Sequence, residues 1–365
     1  MSNVEKTLLS SQGTRLTYGS DERIGTIVVD NFPALGRLTA TRFLEWVQHN
    51  PEGLIALPTG KTPEYFIKEV VRYLSTWSSK ETQDELGQAG VDPGRKPVMN
   101  GLRFVQIDEF YPINPRHQNS FYHYVMKYYV DGFRLDDTRG LFIRCDEIGI
   151  PEGHTLESVW GDEGVDLSLR YRLPATRQEE LQQRVLRSVD QWCVDYEDRI
   201  TELGGIGFFL GGIGPDGHIG FNVRGSDMHS TTRLAEVNYE TKAAAATDLG
   251  GIEVADKRLV ITVGLRTITR NPEAVAVIMA AGEAKAQVVA DAIQEERHVL
   301  YPATALHSLE SARFYLTEGA AKLLTARAVE RLESRPELSE GELERIAIDV
   351  SVRSGKRLVD LTRGD

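Results

Sequence analysis

The chain has 365 residues, 41% hydrophobic and 26% charged, with a formal net charge of −12. That length and apolar content suffice for a sizeable α/β core, while the acidic balance argues against nucleic acid or an anionic membrane as the main partner. Two cysteines, Cys145 and Cys193, are too few for a disulfide framework and fit a reducing compartment.

The opening stretch, MSNVEKTLLSSQGTRLTYGS, carries no apolar signal core, and no run of ~18 apolar residues follows. A cytoplasmic chain with no membrane partner is expected. The first strand is TIVVD (26–30), followed by a helical pattern over 35–48. LIALPTG (54–60) then leads into a helix over 63–76, and 79–100 reads as a polar surface excursion. LRFVQIDEF (102–110) reads as one strand, with a helix over 118–130 beyond it. Residues 146–176 show no sustained period and read as an elaborated insert. A long helix over 177–202 precedes the strands GFFLGGIG (207–214), RLVITVG (258–264), AVAVIMAAG (274–282) and ARFYLTEG (312–319), with helices over 284–295 and 320–333. Near-continuous apolar strands alternating with helices imply a doubly wound α/β architecture whose ligands bind beyond the strands' carboxyl ends. Residues 1–335 are expected to form a single α/β catalytic domain carrying both inserts. Residues 336–365 form a helical extension, with Ser339 and Glu342 spaced as a capping box.

Four motifs sit at strand ends. In LPTGKTPEYF, Thr59, Gly60, Lys61 and Thr62 precede Pro63 at a helix start, where free N–H groups form an anion site; an ordinary strand-to-helix turn has the same look. In VQIDEFY, Asp108 ends a strand and can face a cleft as a general base, although an isolated Asp-Glu more often caps a turn. In FFLGGIGPDGHIGFN, Gly212 and Gly214 let a ligand approach the backbone. Asp216 there can orient the imidazole of His218. In MAAGEAKAQVV, Lys285 falls in the first turn of a helix, where the macrodipole offers a cation nothing and a bound anion would explain it. No second His or Cys stands at ligand spacing, so no metal is expected.

Together, GGIGPDGHIGFN, LPTGKTP, DEFY…HQNSFY, ITVGLRTI and GEAKA resemble the glucosamine-6-phosphate deaminase (isomerase) family, which is more distantly similar to the 6-phosphogluconolactonases. The similarity runs in order from about Arg37 to about Leu324. It implies a Rossmann-like α/β sandwich whose mostly parallel sheet is covered by helices on both faces. It also implies a phosphorylated sugar as substrate, glucosamine 6-phosphate above all, converted to fructose 6-phosphate and ammonia. Asp108 then corresponds to the base that moves a proton between C1 and C2, His218 to the ring-opening histidine, and Asp216 to its partner. Residues 59–62 and Lys285 correspond to phosphate contacts, and a homo-oligomer is expected.

Two departures stand out. Where the family has a relay glutamate after GHIAFN, this chain has Val223, with Arg224 and Asp227 the nearest candidates to compensate. The family's phosphate-binding arginine falls near Thr247. Two alternatives follow: a 6-phosphogluconolactonase-type hydrolase, which needs no such glutamate, and a sugar-phosphate-binding regulator that has lost its relay.

Overall fold

The structure, a computed structural model, describes residues 1–161, 164–243, 257–333 and 337–364. It divides into two compact units, 1–321 and 322–365. Among the described residues ten strands lie in the first: β1 (Gly25–Val29), β2 (Leu54–Leu57), β3 (Arg103–Gln106), β4 (Asp108–Tyr111), β5 (Gly140–Leu141), β6 (Phe208–Gly212), β7 (Arg233–Ala235), β8 (Leu259–Thr262), β9 (Val275–Ala280) and β10 (Ala312–Thr317). Seven form a sheet in the order β1-β10-β9-β6-β2-β3-β5, with every neighbouring pair parallel. The other three form an antiparallel ribbon, β4-β8-β7. The expected fold class is observed: a mostly parallel sheet flanked by helices. Among the described residues no helix is long and apolar enough to cross a membrane.

β2 and β6 are neighbours, and the chain leaves them in opposite directions, to β3 on one side and to β9 on the other. A crevice opens where connections diverge in this way. Both glycine-bearing loops, after β2 and after β6, emerge there.

The expected single strand over 102–110 is two strands in two sheets. The chain turns out of the large sheet at Ile107, and Gln106 makes the turn tolerable. Its carboxamide oxygen accepts the Ile143 N–H at 2.9 Å, and its amide donates to the Asp108 carbonyl at 2.9 Å. Buried backbone groups that would lose ladder partners are thereby satisfied. RLVITVG likewise lies in the antiparallel ribbon as β8, pairing Thr262 with Asp108 in register. A continuous apolar run reads the same in either setting.

The helices follow the expected periods closely at 177–202, found as Arg177–Glu202, and at α2 (Phe32–His49). An unanticipated helix, α1 (Asn3–Gln12), opens the chain. Ser2 and Glu5 form its capping box, and Glu5 also accepts the Tyr315 hydroxyl at 2.9 Å, tying α1 to β10. The expected surface excursion at 79–100 contains a further helix, found after α3 (Glu64–Thr76): α4 (Lys80–Gln88). Leu86, Val91 and Met99 from this stretch join the core. Its polar composition concealed those three side chains. In the second unit, Ser339 caps the helix Glu340–Ser354 through the expected box with Glu342.

Helices α2 and α3 cross closely at Gly36. A Cβ there would lie 2.4 Å from the Tyr65 Cβ and 2.8 Å from the Tyr65 carbonyl carbon. Because backbone stands in the way, no rotamer change relieves the clash. Gly36→Ala is therefore expected to destabilise by about 1–3 kcal/mol despite alanine's better helix propensity. Pushing on α3 displaces the loop at its N-terminus as well. Thermal melting checks the first effect, and shifted amide NMR signals of residues 59–62 check the second.

Candidate active site

The loops after β2 and β6 enclose a cavity of about 300 Å3 lined by residues 58–62, Asp108, Asn119, residues 211–215, His218, Phe221 and Thr241. A larger hollow of about 720 Å3 adjoins it beyond Lys61. The smaller one is the candidate site, because Asp108 and His218 both line it.

One wall is the phosphate-loop candidate. Gly60 holds φ at +91°, which L-residues rarely adopt. Pro63 is the N-cap of α3, one position earlier than expected. The loop is held from behind by two tyrosine hydroxyls: Tyr124 donates to the Gly60 carbonyl at 2.9 Å and Tyr129 to that of Pro58 at 2.5 Å. Both come from the segment expected as a helix over 118–130, which is α5 (Phe121–Val125) continuing into a wider π-helical turn, Met126–Val130. Lys61 and Thr62 both line the cavity, and Thr62 faces Gly212.

Across from it lies the acidic pair, whose members have separate roles. Glu109 accepts from the Ser120 hydroxyl at 2.7 Å and from the N–H groups of Phe110, Phe121 and Tyr122 at 3.0, 3.0 and 2.8 Å. It fastens the start of α5. Burial pushes its pKa up to about 7 against those four donors. Asp108 accepts no side-chain hydrogen bond from a described residue and is 7% exposed, toward the cavity. Burial, with Glu109 beside it, pushes its pKa up to about 8.

The third wall is the loop after β6. A Cβ on Gly214 would lie 2.0 Å from the His218 ring, so glycine is required for the imidazole to sit here. His218 stacks on Phe221 with ring centroids 5.7 Å apart. Its Nδ1 donates to Asp216 Oδ1 at 2.5 Å, with Thr241 Oγ1 at 3.3 Å. This fixes the tautomer and leaves Nε2 without a described partner. Burial alone would raise the pKa of Asp216, but the bonds from His218, the Arg224 N–H and Asn238 outweigh it and hold the carboxylate well below its usual range. Thr262 joins the walls: it pairs with Asp108 in register, and its hydroxyl accepts the Phe221 N–H at 3.1 Å.

Of the sequence-derived candidates, Thr59, Gly60, Lys61, Thr62, Asp108, Gly212, Gly214 and His218 line one cavity, with Asp216 directly behind His218. Lys285 is not among the lining residues. Its ammonium donates to the Ile213 carbonyl at 2.8 Å, and it precedes the helix Ala286–Gln294 from a 3-10 turn, Glu283–Lys285. Burial pulls its pKa down, against Asp216 nearby. Val223 presents no polar group to the pair, and Asp227 instead accepts the His229 N–H at 2.7 Å. Thr247 lies outside the described residues. Sequence reading missed Thr241, Asn238 and Thr262. The only signal available was Asn238, an N-cap residue type ahead of a short helical pattern.

No protein-family model matches the chain. It is 26% identical over 303 residues to a glucosamine-6-phosphate deaminase of Bacillus velezensis, covering 82% of this chain and 99% of that protein. It is also 26% identical over 269 residues to glucosamine-6-phosphate deaminase 2 of Bacillus subtilis, covering 74% and 83%. Among solved structures, a monomeric glucosamine-6-phosphate deaminase superposes with a TM-score of 0.59 at 20% identity, over 82% of this chain and 99% of that one. A 6-phosphogluconolactonase from Leishmania guyanensis gives 0.52 at 16%, over 82% and 98%. These matches bear out the resemblance drawn from the motifs, and the fold is the one these structures share.

A buried acid whose pKa is raised is stabilising in its protonated form, and that contribution is lost as pH climbs from the usual carboxylate range through the raised value. Asp108→Asn is therefore expected to be more stable than the parent at pH 9. The advantage should shrink by at most about 1.4 kcal/mol per pH unit on descent and vanish near pH 4. Denaturant titrations of both proteins at several pH values measure it; a pH-independent difference would contradict the desolvated state of Asp108.

Proposed function

We propose that the protein is a sugar-phosphate isomerase-deaminase that converts glucosamine 6-phosphate and water to fructose 6-phosphate and ammonia. The observation that carries this reading is Asp108, a desolvated carboxylate with no described hydrogen-bond donor, across one cavity from an Asp216-oriented imidazole. Aldose-ketose isomerisation needs a base able to reach two adjacent carbons and an acid–base group at the ring oxygen. The phosphate is bound by the N–H groups at the start of α3, by Thr59 and Thr62, and by Lys61, the one fixed positive charge among the described lining residues.

His218, through the free Nε2, opens the pyranose by moving the O1 proton to O5. Asp108 takes the C2 proton and returns it to C1, while the amine gives up one proton and O1 gains one, so that the aldehyde becomes a C1 hydroxyl and C2 an imine. Water adds to that imine and ammonia leaves, so the overall reaction balances without an added oxidant or reductant. Supporting this reading are the deaminase names of the relatives and the order of the motifs. A 6-phosphogluconolactonase-type hydrolase is the second reading, favoured by Val223 at the relay position. Hydrolysis of a lactone, however, gives no role to a second carboxylate placed as Asp108 is.

Asp108 must be ionised to act. The kcat/KM is therefore expected to rise with pH and flatten above about 8. Asp108→Asn and His218→Ala should each cost roughly 10²–10⁴ in kcat, read in a coupled assay that follows ammonia and fructose 6-phosphate together. Hydrolysis of 6-phosphogluconolactone with no ammonia from the amino sugar would establish the second reading instead.

A further inference from the structure

Asp216 is the group that orients His218, and the family's additional glutamate is absent. What holds Asp216 here is an amide. Asn238 Nδ2 donates to Asp216 Oδ2 at 2.7 Å, while Asn238 Oδ1 accepts the Thr241 N–H at 3.0 Å. The second contact settles the first. An amide whose oxygen caps a backbone N–H can turn only its nitrogen elsewhere, so the group facing the carboxylate is a donor. Residues 239–243 are helical, making Asn238 the N-cap of that turn. One side chain thus fixes the aspartate and the turn that places the Thr241 hydroxyl 3.3 Å from His218 Nδ1.

The other described neighbours of Asp216 cannot replace it. Arg224 offers only its N–H to the carboxylate, at 3.3 Å, while its guanidinium bonds the Asp216 carbonyl at 3.2 Å. Lys285 is engaged with Ile213, and Asp291 and Tyr301 line the narrow space behind.

We propose that Asn238 is a positioning residue, holding Asp216 as the hydrogen-bond acceptor of His218. Its role in turnover rests on the acid–base reading of Asp216 and His218 given above. Its role in the charge state of Asp216 does not.

Two variants keep the helix cap and change only what meets Asp216. In Asn238→Asp a protonated Asp at 238 still donates, whereas an ionised one faces Asp216 with a like charge. In Asn238→Ser the cap acceptor stays and the reaching donor is lost. Carboxyl-carbon NMR of Asp216 should show it ionised from about pH 4 to about pH 9 in the parent. In Asn238→Asp a shared titration of the pair should appear within that range. With glucosamine 6-phosphate, kcat of Asn238→Asp relative to that of the parent at the same pH should fall at least about tenfold as pH rises through that titration, with KM unchanged. Asn238→Ser should be slow at every pH, and both should melt within a few degrees of the parent. A cap with no other role would leave the pH profile and the Asp216 titration of Asn238→Asp unchanged, and that result would overturn the proposal. If the parent turns over no amino-sugar phosphate, the functional reading fails while the carboxyl titration still decides for or against Asn238.

Discussion

Gln106 and Asp108 are two residues apart, yet they belong to different sheets, and the carboxamide of Gln106 takes over the contacts that the break would leave open. The site depends on that departure. Had the strand run on, Asp108 would lie in the parallel ladder among apolar neighbours. By leaving at Ile107 the chain carries Asp108 onto an antiparallel ribbon opposite Thr262, whose hydroxyl reaches the loop that bears His218. Asp108 and the loop bearing His218 are thus referenced to one residue pair. The aromatic set Phe110, Phe121 and Phe221, with centroid separations of 4.9 to 6.1 Å, fills the space around that joint.

The two carboxylates show how placement alone divides chemistry between neighbours. They are adjacent in sequence, both buried, and on alternate sides of a short strand. Glu109 meets one hydroxyl and three N–H groups, and Asp108 meets open space. One fastens a helix and the other remains available to a ligand.

Much of the layered architecture was legible, because strand and helix periods are local properties that survive burial. The loops 58–62 and 211–218 were legible for a related reason: glycines and proline mark the conformations they impose. The division of Asp108 from Glu109 was not, since it depends on Ser120 and α5, eleven or more residues away. Nor was the ribbon, because an apolar run carries no mark of parallel or antiparallel pairing. At Lys285 the contact that engages the ammonium is the Ile213 carbonyl, 72 residues away, which the local sequence around a helix start does not announce. Asn238 escaped notice because its partner is 22 residues away, across a stretch with no recognisable period.

On the proposed function, the tyrosine hydroxyls behind the loop 58–62 bear on which sugars fit. Tyr124 and Tyr129 hold the carbonyls of Gly60 and Pro58, and their segment begins where Glu109 holds Ser120, one residue from Asp108. Residues 58–62 and Asp108, at opposite sides of the cavity, are therefore mounted on a single strut. Under the proposed function their separation would act as a ruler. A sugar phosphate with its phosphate seated at residues 59–62 would offer Asp108 whichever carbons lie at that fixed reach, so chain length would be measured before any hydroxyl is read.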